Sequence, residues 1–212
     1  MATFGELQTA VSKRLLDVNN VAVSQSDVAL ALNNAISYWK FRRFGFNQQE
    51  LDLTLTIQDG TINIPSGSLV PDTDDGAFVI EYSNERWPLV KKSREQYNQI
   101  WTRNGYGIPK VYAYMSTTYE CFPLPDRAYT LKCYLLKDYA DLVNLSDTND
   151  FTINAPRLIQ LWALANLSGE LRQDEKMETY YRGASNNEYM NLGVLSDKQS
   201  GTGKLTLESN LI

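Results

Sequence analysis

The sequence predicts an α+β fold. A helical bundle is formed by N- and C-terminal helix pairs, with an inserted antiparallel β domain and an extended C-terminal arm. Three observations lead there. Apolar residues recur at helical spacing near both ends of the chain. Between those regions the period drops to two, in short segments separated by Gly, Pro, Asn and Asp. Past Ser196 the helical pattern stops, and Gly201-Thr-Gly203 precedes a brief alternating run.

The first helix is set by a capping box, Thr3-x-x-Glu6, followed by Phe4, Leu7, Val11, Leu15 and Val18 on one face. It spans about residues 3–18 and ends at Asn19-Asn20. A second box, Ser24-x-x-Asp27, opens the next helix, with Val28, Ala31, Leu32, Ala35, Ile36 and Trp39 at i, i+3, i+4 spacing. This helix is expected to run to about Arg43 and stop before Gly45. Lys40, Arg42 and Arg43 in its last turn suit the negative end of the helix dipole, and a DNA contact is the competing role.

Leu51, Leu53, Leu55 and Ile57 then alternate with Asp52, Thr54, Thr56 and Gln58 as a strand. Asp59-Gly60 is a strong hairpin signal, so Thr61, Ile62, Asn63 and Ile64 are expected to return against that strand. Residues 65–76 read as a loop. Residues 78–82 and 86–89 read as two strands around a turn at Ser83-Asn84-Glu85. Residues 93–101 form a short helix, and 104–109 a turn. Three strands follow at 111–115, 119–122 and 129–134.

Helix returns near Asn154, a candidate cap, with Pro156 acceptable in a first turn. Leu158, Leu161, Trp162, Ala165 and Leu167 are apolar on more than one face, which marks the most buried helix of the protein. Asp174 starts the next, with Met177, Tyr180, Tyr181 and Ala184 on one side, reaching about Leu195. The domains are therefore 1–45 and 152–196 for the bundle, 46–151 for the β-rich insertion and 197–212 for the arm. In the arm, Lys204-Leu-Thr-Leu-Glu208 alternates like a strand. Leu205, Leu207, Leu211 and Ile212 are the candidate partner-binding residues, because disordered tails are usually poor in aliphatics; a frayed terminus is the other reading.

Composition narrows the function. The 212 residues suffice for one large domain or two small ones. Apolar residues at 43% and charged residues at 21% are ordinary for a soluble protein. There are 13 Tyr, a residue suited both to half-wet interfaces and to strands. A net charge of −5 argues against a surface built to grip nucleic acid, yet suits one past which DNA slides. No apolar run is long enough to span a membrane, and Met1-Ala-Thr-Phe does not begin a signal peptide. Cys121 and Cys133 fall on strands expected to be neighbours, and are expected to be reduced and buried. No metal site and no cofactor are expected.

The chain contains no histidine, so no Ser-His-Asp or Cys-His pair and no His general base can be built from it. P-loop and dinucleotide fingerprints are absent. Paired carboxylates survive as a catalytic possibility, with Glu81, Glu85, Glu120, Asp126, Asp138 and Asp141 available to a glycosidase. Surface solubility explains nearly all of these.

Three passages together resemble the head-to-tail adaptor (head-completion, tail-accessory) proteins of short-tailed bacteriophages. Ala35-Ile-Ser-Tyr-Trp39 through Phe44 leads straight into the strand at Leu51. Gly107-Ile-Pro109-x-x-Tyr112 is followed by Phe122-Pro-Leu-Pro-Asp126-x-x-Tyr129-x-Leu131. A helix over 156–172 then precedes one carrying Tyr180-Tyr181. The order of these parts is more specific than any one of them.

The resemblance implies a structural protein and no enzyme. It implies a ring, typically of twelve subunits, in the neck of the virion, made in the host cytoplasm. The ring would join the portal protein to tail, nozzle or tail-tube proteins. Genomic DNA would pass through without sequence-specific binding. A C-terminal arm commonly reaches the portal or a neighbouring subunit. The competing expectations are a cell-wall glycosidase and another tail or baseplate component.

Overall fold

The computed structural model describes residues 1–16, 23–71, 76–101 and 105–199. Among them are helices at both ends and a β region inserted between, so the α+β class holds. The chain divides into two compact units: Met1–Trp39, Phe44–Asn47 and everything from Tyr139 onward, and separately Lys40–Arg43 with Gln48–Asp138.

The helical unit contains α1 (Phe4–Leu16), α2 (Gln25–Trp39), α4 (Asp150–Asn154), α5 (Pro156–Glu170) and α6 (Glu175–Gln199). Both capping boxes form. Glu6 N donates to Thr3 Oγ1 while Thr3 N donates to Glu6 Oε2, and Ser24 and Asp27 reciprocate in the same way. Two further donors at the start of α1 are met from a distance, Phe4 N by Asp147 O and Gly5 N by Leu145 O, both at 2.9 Å.

Helix α5 is the spine of this unit. It touches α1, α2, α4 and α6 and buries nine of its residues, among them Leu158, Ile159, Trp162 and Leu164. Its core partners are Phe4, Leu7 and Val11 of α1 and Val28, Leu32, Ile36 and Trp39 of α2. Helix α6 contributes Tyr181, Tyr189 and Leu192 to the same core, and Met177 N donates to Asp174 Oδ1 at its start.

Several boundaries differ from expectation: α6 runs to Gln199, past Leu195 and into the first residues expected for the arm, and two others lie at the end of α2 and the start of α5. Helix α2 stops at Trp39, so Lys40, Arg42 and Arg43 lie beyond it and belong to the β unit. The chain turns there because buried Asn47 accepts the amide of Phe44 through Oδ1. Asn154 does not cap. Asn149 does, exchanging bonds with Thr152 in a capping box that opens α4, and Pro156 then begins α5 after Ala155.

The β unit holds two packed sheets. The first comprises β1 (Gln48–Leu55), β3 (Ser68–Leu69), β4 (Phe78–Tyr82), β5 (Glu85–Pro88) and β11 (Tyr129–Lys137), ordered β1-β11-β4-β5, with β3 pairing the far end of β11. The second comprises β2 (Thr61–Ile62), β6 (Val90–Lys91), β8 (Val111–Met115) and β9 (Thr118–Phe122), ordered β2-β9-β8-β6. A small parallel pair joins β7 (Tyr106–Gly107) to β10 (Leu124–Pro125). Leu55, Ile80, Leu131 and Leu135 of the first sheet meet Ile62, Tyr112 and Cys121 of the second in one core.

The expected hairpin at Asp59-Gly60 does not form. β1 pairs with β11, and β2 pairs with β9 of the other sheet. Asp59-Gly60 instead carries the chain between sheets, with Asp59 Oδ1 accepting from Thr61 N at 2.9 Å. Glycine is required there for space: a Cβ at Gly60 would lie 2.7 Å from Cys121 O. The turn at Ser83-Asn84 does form, with both residues at positive φ (55° and 64°), the geometry of a two-residue hairpin. Cys121 and Cys133 sit on different sheets, not neighbouring strands, and both are free and buried. Burial pushes each thiol up to about 12.

The second sheet is covered on its other side by α3 (Arg94–Trp101), opened by a Ser93–Gln96 capping box. Tyr97, Ala113 and Phe122 form a small second core there, and Tyr97 Oη donates to Cys121 O at 3.1 Å.

Candidate assembly surfaces

The helical unit exposes a built aromatic cluster. On α2 the buried row leaves Leu30 and Tyr38 on the outer side, 61% and 45% exposed. Tyr38 stacks on Trp162 of α5, ring centroids 4.0 Å apart and 19° from parallel. The Arg182 guanidinium of α6 stands 4.9 Å from the same indole centroid, held by Glu178 Oε1 at 2.8 Å one turn earlier. The Trp162 ring is thereby fixed by three helices, and Tyr38 presents a rigid ring face outward. Such aromatic and Arg groupings suit a protein-facing surface more than a solvated one. Helix α6 exposes Met177, Tyr180 and Met190 away from its core seam. In the sequence the signal for Tyr38 is its place on the non-core face, four, eight and twelve residues after Asn34, Leu30 and Ser26.

The β unit has its own exposed apolar residues. Tyr106 of β7 pairs with Leu124 of β10, and Gln58 N, next to Ile57, donates to Pro125 O at 2.8 Å. Ile57 and Tyr106, both more than half exposed, thus flank Leu124 and Pro125. Trp101 stacks against Tyr97 and tilts onto Phe122, leaving an edge outward. A cleft of about 350 Å³ lies among Arg43, Gln48, Glu50, Pro71 and Tyr134, and a groove of about 600 Å³ runs along α1 past Gly5, Thr9 and Leu145.

Three of the six carboxylates singled out for a glycosidase are engaged in structural bonds. Glu81 shares Lys132 with Glu50 and Asp52 and also meets Arg86. Asp138 pairs with Lys40. Asp126 accepts from Tyr129 and Arg127, and these bonds hold it below the usual carboxylate range. A glycosidase acid needs the opposite, a carboxyl pushed up by burial. Among the described residues no group of three or more Asp, Glu or Cys is placed to hold a metal, and no helix is long and apolar enough to cross a membrane. The candidate partner-binding residues Leu205, Leu207, Leu211 and Ile212 lie outside the described residues.

What the geometry offers is surface: rigid exposed rings on both units and carboxylates engaged in ion pairs and turns. Comparison with curated proteins gives no significant match. The family model described as SU10 adaptor protein matches residues 2–203, nearly the whole chain. The chain belongs to the SU10 adaptor family, a phage head-to-tail adaptor family of structural proteins.

Proposed function

We propose that this protein forms a closed ring, of about twelve copies as the resemblance implies, between the phage portal and the tail components at the capsid vertex, with the genome passing through its centre on ejection. Family membership across residues 2–203 carries the proposal. The exposed aromatic residues support it, since a ring subunit must bury two different faces against its neighbours. A net charge of −5 suits a channel wall that does not hold DNA. Leu205, Leu207, Leu211 and Ile212 anchor the C-terminal arm on a partner subunit.

Negative-stain microscopy of the protein mixed with portal tests this directly. A ring docked on the portal's narrow end is expected. Monomers that ignore the portal would overturn it. A chain truncated after Gly201 is expected to fold with unchanged circular dichroism and to lose portal attachment; full occupancy by the truncated chain would remove the arm from the account.

A further inference from the structure

Among the described residues, the two sheets end in four strand edges, β1, β5, β2 and β6, besides the two-residue β3 that pairs the end of β11. Three are blunted. β2 and β6 have two residues each, and β5 has four and ends in Pro88. β1 is different. It runs eight residues in uninterrupted register with β11, from Gln48↔Leu136 to Leu55↔Tyr129, with no proline and no bulge. Long regular edges of this kind are templates for another strand.

The side chains of β1 say which strand. Leu51 and Leu53 point to the core side but are only half-buried, whereas Leu55 is fully covered. A further strand with apolar residues at alternate positions would complete their burial. Glu50 and Asp52 point outward, 51% and 55% exposed at the side chain. They share Lys132 with Glu81, so three carboxylates face one ammonium. The edge therefore repels a second β1 and favours a strand that brings a cation.

One segment of this chain has that pattern. In Lys204-Leu-Thr-Leu-Glu208 the leucines fall on one face, and Lys204, Thr206 and Glu208 on the other. An antiparallel register that matches both leucines to Leu51 and Leu53 sets Glu208 beside Glu50. The parallel register sets Leu205 beside Leu51, Leu207 beside Leu53, Lys204 beside Glu50 and Glu208 beside Thr54. Mixed sheets of this kind are common.

We propose that residues 204–208 of one copy add to β1 of the next copy as a parallel strand, in that register. This deepens, and rests on, the ring reading above. Each copy supplies one such segment and one such edge, so a contact between them is heterologous and can propagate around a closed ring. Residues 209–212 are left beyond the strand to reach the portal.

The test uses full-length protein in two differently tagged forms, one carrying Asp52→Cys and the other Thr206→Cys. Buried Cys121 and Cys133 do not compete. Mixed rings are oxidised, and a disulfide joining the two tags is expected. A second pair of variants checks the register by charge. Lys204→Glu is expected to lower the assembled fraction several-fold at low salt, and Glu50→Lys in the same chain to restore it. Rings that form without the cross-link overturn the strand pairing and leave the ring reading standing. A cross-link found only within a single doubly substituted chain overturns the exchange between copies. Failure of the unsubstituted protein to form rings, with or without portal, removes the ring reading and this inference together.

Discussion

Lys40 Nζ lies 2.7 Å from Asp138 Oδ1, so the first and last residues of the β unit are joined by an ion pair. The Lys40 side chain is 18% exposed and that of Asp138 38%, so water screens the pair in part. Asp138→Asn is expected to lower stability by about 1 kcal/mol or less. The difference from the unsubstituted protein should shrink in high salt, when urea unfolding is followed at two salt concentrations.

Leu164 is fully buried at the centre of α5, the helix that α1, α2, α4 and α6 all touch. Leu164→Ala removes packing that no neighbour can replace by a small shift. A loss of about 2–5 kcal/mol is expected from denaturant unfolding. A solvent-facing control, Leu30→Ala, should cost far less, since Leu30 is 61% exposed.

Gly60 tests a close approach. A Cβ there would stand 2.7 Å from the backbone oxygen of Cys121 and 3.0 Å from Leu124 Cδ2. The oxygen already accepts from Tyr97 Oη, so strand β9 cannot move away without breaking that bond. Gly60→Ala is expected to cost about 1–3 kcal/mol, read as a lowered denaturation midpoint.

Asp147 predicts a pH dependence. Its Oδ2 accepts from Asn144 N at 2.7 Å and Val143 N at 2.9 Å, and these bonds hold its carboxyl below the ordinary range. A carboxyl depressed in the folded state adds stability above its unfolded value, and that stability is lost as pH falls through the folded value. Asp147→Asn should therefore be less stable than the unsubstituted protein at neutral pH, with the gap closing below about pH 4. Because Asp147 O and Leu145 O receive the first amides of α1, hydrogen exchange at Phe4 and Gly5 should rise in acid as well.

Much of the helical unit was legible because its signals are local. Thr3-x-x-Glu6, Ser24-x-x-Asp27 and Asp174 fix helix starts through bonds that span three residues, and all three form. Asn149 was missed although Asn149-x-x-Thr152 carries the same kind of signal, and Asn154, two residues before a proline, drew the assignment instead. The sheet pairings were less legible. Leu51 and Leu53 alternate in a way that announces a strand but not its partner, and the partners, Cys133 and Leu131, lie some eighty residues on. Asp59-Gly60 has the chemistry of a hairpin turn, but the loop it belongs to crosses between sheets, so tertiary packing overrode the local preference. Of the surfaces, the abundance of Tyr was visible from composition. Which rings face outward, Tyr38, Tyr106, Tyr114 and Tyr180 among them, depends on neighbours that only the fold supplies.

Strand β9 serves two interiors at once. Cys121 points into the core between the sheets, and the next residue, Phe122, into the small core beneath α3. Inserting or deleting a single residue within it would exchange a thiol for a benzyl group on both sides, overfilling one space and emptying the other. Changes of chain length in this protein's relatives should accordingly avoid residues 118–122 and collect in the loops that flank them.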